Sequence, residues 1–253
     1  MKIVLTEITK LHGGKCCVAG ICREDGKLYR LSDPYATHAY VLVKRWRVGT
    51  ELDGEFLLTH PTEPVHCEDS RWSASRTGRI ADGDTLKNLF VVSTVSSLPD
   101  SLGITARGTP VADFSPKGRS IVTIQPSYIS IERKEPYKEG GKPSVRAVFC
   151  CCGSWMRFVP ITDIRFFNLD GTINDAAVAI AQRHVESVRA GEEEVFVRVG
   201  VTRPFDPAEA GNLSYWVQID GLHFFSKTTG KYVRDFCDEV VISDVLSGVS
   251  ENE

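Results

Sequence analysis

Apolar and polar residues alternate along most of this chain, and they recur at helical spacing in only a few places. In "VFVRVGVTRPFDP" (195–207), Val195, Val197, Val199 and Val201 share one parity, while Arg198, Gly200 and Thr202 share the other. In "SYWVQIDGLHFF" (214–225), Tyr215, Val217 and Ile219 alternate with Trp216, Gln218 and Asp220. A period of two is that of a strand with one buried face. "KIVLTEITK", "CCVAGICRE" and "LYRLSD" read the same way, joined by "HGGK" and by an Asp25-Gly26 hairpin signal, and predict a meander at the start of the chain. "GTELDGEFLLTH" adds a strand with a bulge signal at Asp53-Gly54. "GRSIVTIQPSYISIER" is a strand interrupted at Pro126, and "SVRAVFCCCGSWMRFVPITD" is a hairpin turning at Gly153-Ser154. "SKTTGKYVRDF" supplies one more hairpin arm.

Helical periodicity is clear over 172–190, where Ile173, Ala176, Ala177, Ile180, Ala181, His184, Val185 and Val188 line one side. Thr172 with Asp175 resembles a capping box, and Gly191 suits a C-cap. His184 reads as a packed core histidine. Over 84–97 both helix and strand are open; helix is adopted because Leu86, Leu89 and Phe90 follow a capping Asp84. The polar stretch 61–84 predicts no element, and a connection that long tends to be functional or mobile. The acidic tail "SGVSENE" is expected to be disordered. These elements predict a mainly β protein with minor α content, divided into two OB-like small barrels over 1–112 and 113–253. A pair of SH3-like barrels or a β-sandwich would give similar periodicity.

Charge narrows the function classes. The 253 residues carry a net charge of −3 and a pI near 6.1, which argues against coating nucleic acid by bulk electrostatics and leaves local basic clusters as the route to phosphate. No apolar run approaches the ~20 residues of a membrane span. "MKIVLTEITK" is polar where a signal peptide would be apolar, so a cytoplasmic location and no membrane partner are expected. Of the eight cysteines (Cys16, Cys17, Cys22, Cys67, Cys150, Cys151, Cys152 and Cys237), none forms a C-x2-C pair. Structural thiols in a reducing compartment are therefore expected, with no metal and no cofactor. The phosphate-loop, dinucleotide, nucleophile-elbow and zinc-protease motifs are all absent from the sequence.

Several segments also resemble the bacterial dual OB-containing domain family of conflict and defence systems. They are "MKIVLTEITKLHGGKCCVAGI" with "YRLSD", "EPVHCEDSRW", "GRSIVTIQP", and "VRVGVTRPFD" followed by "YWVQIDGLHFF". The resemblance spans nearly the whole chain, although no single motif in it is catalytically diagnostic. It implies two OB-like barrels and recognition of nucleic acid or a nucleotide. The chain departs from the family at "LHFFSKTTGKY", where a Phe-Pro-Asp-Tyr run is missing, so no role is carried over to that arm.

Three groups of residues are candidates for chemistry. Arg198, Thr202, Arg203, Trp216 and Gln218 share a polar strand face that could stack bases and track phosphates; the alternative is that Trp216 is packed and Arg198 is paired with Asp220. Arg45, Arg47, Arg71, Trp72 and Arg76 lie in basic segments containing tryptophan, a composition suited to phosphate contact with stacking. Trp46 reads as a loop anchor. His66, Glu68 and Asp69 could serve acid–base or metal chemistry, but a structural brace is favoured and no catalytic residue is assigned. The leading expectation is a non-enzymatic sensor or adaptor for nucleic acid or a nucleotide-like ligand. A protein-interaction or inhibitor module, with a partner from a neighbouring gene, is the alternative. A metal-dependent phosphodiester hydrolase is the lesser one.

Overall fold

In the computed structural model, which describes residues 1–61, 66–105, 111–114, 119–136, 139–204 and 214–233, the first half closes on itself. β1 (Lys2–Lys10), β2 (Lys15–Cys22) and β3 (Leu28–Thr37) form the expected meander. β4 (Thr50–Leu58) and β5 (Asp69–Ile80) complete a closed barrel of order β1-β2-β3-β5-β4. Every neighbour is antiparallel except β3 and β5, which run parallel, and β4 pairs back onto β1. Ile3, Leu5, Val18, Leu31, Leu52 and Phe56 fill the interior.

β5 corrects the sequence reading, because it occupies half of the stretch 61–84 that predicted no element. Over 71–76 its exposed positions are Arg71, Ser73 and Ser75, and its half-buried ones are Trp72, Ala74 and Arg76. A strand that puts an arginine on its inner side carries little hydrophobic alternation to read. The bulge signal at Asp53-Gly54 is also corrected. β4 runs through it in register, and the irregularity lies between Thr50 and Leu52. Gly54 serves close approach instead, since a Cβ there would lie 2.2 Å from the Ser73 carbonyl oxygen.

The region that was open between helix and strand is helical: α2 spans Gly83–Ser93 and buries Leu86, Leu89 and Phe90. Its cap is Asp82, not Asp84, and Asp82 accepts a 2.7 Å bond from the Thr85 amide. Two further short helices, α1 (His38–Val43) and α3 (Leu98–Leu102), are too brief for periodicity to show.

The second half contains β6 (Ile104–Thr105), β7 (Val111–Phe114), β8 (Ile121–Ile124), β9 (Tyr128–Lys134), β10 (Ser144–Cys151) and β11 (Ser154–Pro160). α4 (Asp175–Ala190), β12 (Glu193–Val201) and β13 (Tyr215–Ser226) follow. Its strands lie in two sheets, β11-β10-β9 and β6-β7-β13-β12-β8. Pro126, with no amide hydrogen to donate to a ladder, separates β8 from β9. A parallel bridge between Ile161 and Ile219 links the end of β11 to β13. With β8 and β9 taken as one broken strand, the pairing order of the first half is repeated.

Leu98, Leu102 and Ile104 pack in the second core, so the chain enters that unit ahead of residue 112, where the sequence reading divided it. α4 is capped by Asn174, which accepts from the Ala177 amide, and not by Thr172; Gly191 ends it in the left-handed conformation, as expected. After β13 a turn brings Tyr232 back to Phe225 in an antiparallel bridge, with the Val233 amide donating to the Phe224 carbonyl; residues 234–236 of the expected hairpin arm lie outside the described residues. The acidic tail and Cys237 lie outside the described residues.

Candidate functional site

Two β-bulges decide what the polar face of β12 and β13 does. On β1, Ile3 and Leu5 point into the barrel; a register shift between Leu5 and Glu7 then turns Glu7 outward while Ile8 points in. On β13 a shift between the partners of Arg198 and Val199 leaves Asp220 unpaired in the ladder. The outward Glu7 meets Arg198 of β12 across the seam between the halves. Arg198 Nε donates to Glu7 Oε2 at 2.8 Å, Nη2 to Oε1 at 3.0 Å, and Nη1 to Thr123 Oγ1 at 2.7 Å. Arg198 is 1% exposed and therefore leaves the ligand-contact set. Its partner is Glu7, not Asp220.

Asp220 occupies the space that Gly200 leaves open, since a Cβ on Gly200 would lie 1.9 Å from Asp220 Oδ2. Gln218 donates to Asp220 at 2.6 Å, and Thr162 donates to it at 3.2 Å. Thr202 braces Trp216 by accepting from its amide at 3.0 Å, and both residues are half-buried. The polar parity is thus largely the seam itself. Beside it, Val4, Ile21, Phe90, Phe196 and Phe225 form an apolar part of the same junction.

The seam carries a pH signature. Burial, reinforced by Glu7, pushes the Asp220 carboxyl up to about 7, and the bonds from Gln218 and Thr162 only partly oppose this. The native state therefore holds a proton that an unfolded aspartic acid (pKa ~3.9) releases. This contribution is full below pH ~4 and is lost as the pH rises towards about 7. Burial and nearby arginines give His66 and His223 the opposite slope by lowering their pKa values. The difference between wild type and Asp220→Asn isolates the aspartate. Urea unfolding should show the variant gaining stability relative to wild type from pH 4 to 7, and a constant difference would contradict the assignment.

In the first half, Trp46 is buried and packs against Tyr40 and Trp72, with ring centroids 5.2 and 5.4 Å away. Trp72 is half-buried and donates from its indole to the Pro34 carbonyl at 2.8 Å. It braces the barrel wall, and its ring is already engaged. Arg45 is exposed, Arg71 is exposed and paired with Asp33 at 3.1 Å, and Arg47 and Arg76 are half-buried. These residues do not converge on an open aromatic face.

The carboxylates of the His66, Glu68 and Asp69 group are engaged. Asp69 accepts from Arg30 and from Arg203, while Glu68 accepts from the Ser120 amide at 3.1 Å and from its hydroxyl. This is the bracing pattern favoured from the sequence, and it leaves the hydrolase reading without a free carboxylate in this group. Among the described residues no group of three or more His, Cys, Asp and Glu is placed to hold a metal ion.

An aromatic face that the sequence reading missed lies on the outer side of β9, β10 and β11. Tyr128, Cys150 and Trp155 form one rung across the three strands. Tyr128 is 38% exposed, Trp155 45% and Phe158 41%, and the Tyr128 and Trp155 rings lie 5.3 Å apart. A shift between Ala147 and Phe149 breaks simple alternation in β11, so Met156 and Val159 both face the core while Phe158 turns out. Cations border these rings. Lys134 Nζ sits 4.5 Å over Phe158, Arg189 lies 5.0 Å over Tyr128, and Arg146 donates to the Phe158 carbonyl at 2.9 Å. Arg157 is exposed beside them, and Lys134 has Glu132 at 3.6 Å.

Comparison with known proteins finds no family whose pattern matches the chain and no curated protein that matches it. No helix among the described residues is long and apolar enough to cross a membrane.

Proposed function

We propose that this chain is a non-enzymatic module that binds single-stranded nucleic acid on the outer face of β9–β11. The observation that carries this reading is the exposed aromatic face of Trp155, Tyr128 and Phe158, with Arg189 over the Tyr128 ring, Lys134 over the Phe158 ring and Arg146 and Arg157 beside them. Bases stack on aromatic rings whatever their sequence, and cations follow the phosphates. The repeated strand order supports reading both halves as OB-like barrels, a fold that binds oligonucleotides on the face of its second and third strands. In the second half those strands are β10 and β11. In the first half they are β2 and β3, whose outward Ala19, Ile21 and Arg30 are buried. A place in the cytoplasmic defence systems of bacteria, as the resemblance to the dual OB-containing family implies, belongs to the same proposal.

Fluorescence anisotropy with labelled single-stranded DNA, RNA and a hairpin tests it. Single strands should bind with Kd at or below about 100 µM at low salt, and the hairpin more weakly. Log K should fall against log salt with a slope of about −2 to −3, as for three or four phosphate contacts on a single strand. If no polynucleotide binds, and a protein that copurifies with the chain covers Trp155, the face is a protein-docking surface instead.

A further inference from the structure

Beside the seam, the group around His66 holds buried polar atoms that have no hydrogen-bond partner among the described residues. Arg30 donates to Asp69 and, from Nη1, to Ser120 Oγ at 3.1 Å, but its equally buried Nη2 has no partner among the described residues. His66 is 4% exposed, and neither of its ring nitrogens has a hydrogen-bond partner there. Its backbone adopts φ 62°, a left-handed conformation that a non-glycine residue holds only where its surroundings enforce it.

Burial, then Arg30 and Arg203, push His66 down to about 3, so the imidazole is neutral. The Thr202 backbone faces the ring and opposes this slightly, without reaching hydrogen-bond geometry. Arg203 reaches Asp69 from outside, with its side chain 57% exposed. With the Asp69 carboxylate already taken by two arginines, Arg30 Nη2 has no acceptor among the described residues, and the imidazole has only the Thr202 backbone beside it.

We propose that Arg30, His66 and Arg203 form a binding site for a phosphate group. Guanidinium groups pair strongly with phosphate oxygens. A phosphate monoanion also carries an O–H beside its bare oxygens, so it can satisfy a neutral imidazole in either tautomer, which a carboxylate cannot do. The site is separate from the aromatic face and does not rest on the nucleic-acid reading.

The test uses inorganic phosphate as the probe, with acetate and chloride at matched ionic strength as controls. Phosphate should raise Tm saturably and shift the His66 imidazole signals in NMR spectra, assigned by their loss in His66→Gln. Arg30→Ala risks misfolding, so the surface variant Arg203→Gln carries the comparison; it should bind phosphate at least about tenfold more weakly, a change of ~1.4 kcal/mol. Acetate should have no effect. If phosphate moves neither the His66 signals nor Tm beyond the chloride control, or if Arg203→Gln binds it equally well, the site is filled by internal water and the proposal is overturned.

Discussion

Arg198→Ala is expected to be the most damaging single substitution away from the hydrophobic cores, lowering stability by about 3–5 kcal/mol in urea unfolding. Arg198 and Glu7 are both essentially inaccessible, joined by two hydrogen bonds, and contributed by opposite halves of the chain. Truncating the arginine leaves a carboxylate in the seam with no counter-charge, and that uncompensated charge accounts for most of the loss. The double change Glu7→Leu with Arg198→Met should therefore be milder than Arg198→Ala alone, because it removes both charges and keeps the volume. Thr123 would retain its 2.6 Å contact with Ser93. A double variant as unstable as the single one would mean that the pair itself, and not the orphaned charge, carries the energy.

The second large effect concerns binding. Trp155→Ala and Phe158→Ala should each weaken single-strand affinity by ~1–3 kcal/mol, the usual worth of one base stacked on an aromatic ring. Together they should bring binding close to the limit of detection. Folding should be almost untouched, because both rings are over two-fifths exposed. Arg71→Ala, on an exposed arginine of the first barrel, is the matched control for lost charge away from the face, and its effect should be much smaller. Equal losses in all three variants would point to diffuse electrostatics.

What the sequence disclosed follows from which patterns physics makes periodic. β1 to β3 and β12 and β13 were readable from the apolar residues that recur at every second position, but that alternation did not show that β1, β2, β12 and most of β13 are buried on both faces. α4 was readable from its apolar stripe, though its cap was misplaced by two residues, from Thr172 to Asn174. β5 was hidden because its inner side includes Arg76. The seam was hidden because partners 191 residues apart, Glu7 and Arg198, meet only through two bulges that spacing does not announce.

The polar face of β12 and β13 was read as a ligand-binding surface, whereas its Arg198 is buried against Glu7 of the other half of the same chain. The aromatic face escaped notice because the β11 bulge scrambles parity, so Phe158 and Met156 fall on opposite sides although they are two residues apart. Aromatic residues next to basic ones in "SYISIERK" and "SWMRF" were the available signal.

Photocrosslinking of a bromouracil-substituted single strand asks whether the β9–β11 face holds the bases. Crosslinks should concentrate on the peptides carrying Tyr128, Trp155 and Phe158, and should be lost in Trp155→Ala with Phe158→Ala. Crosslinks confined to the peptides carrying Trp46, Trp72 or Trp216 would contradict that placement.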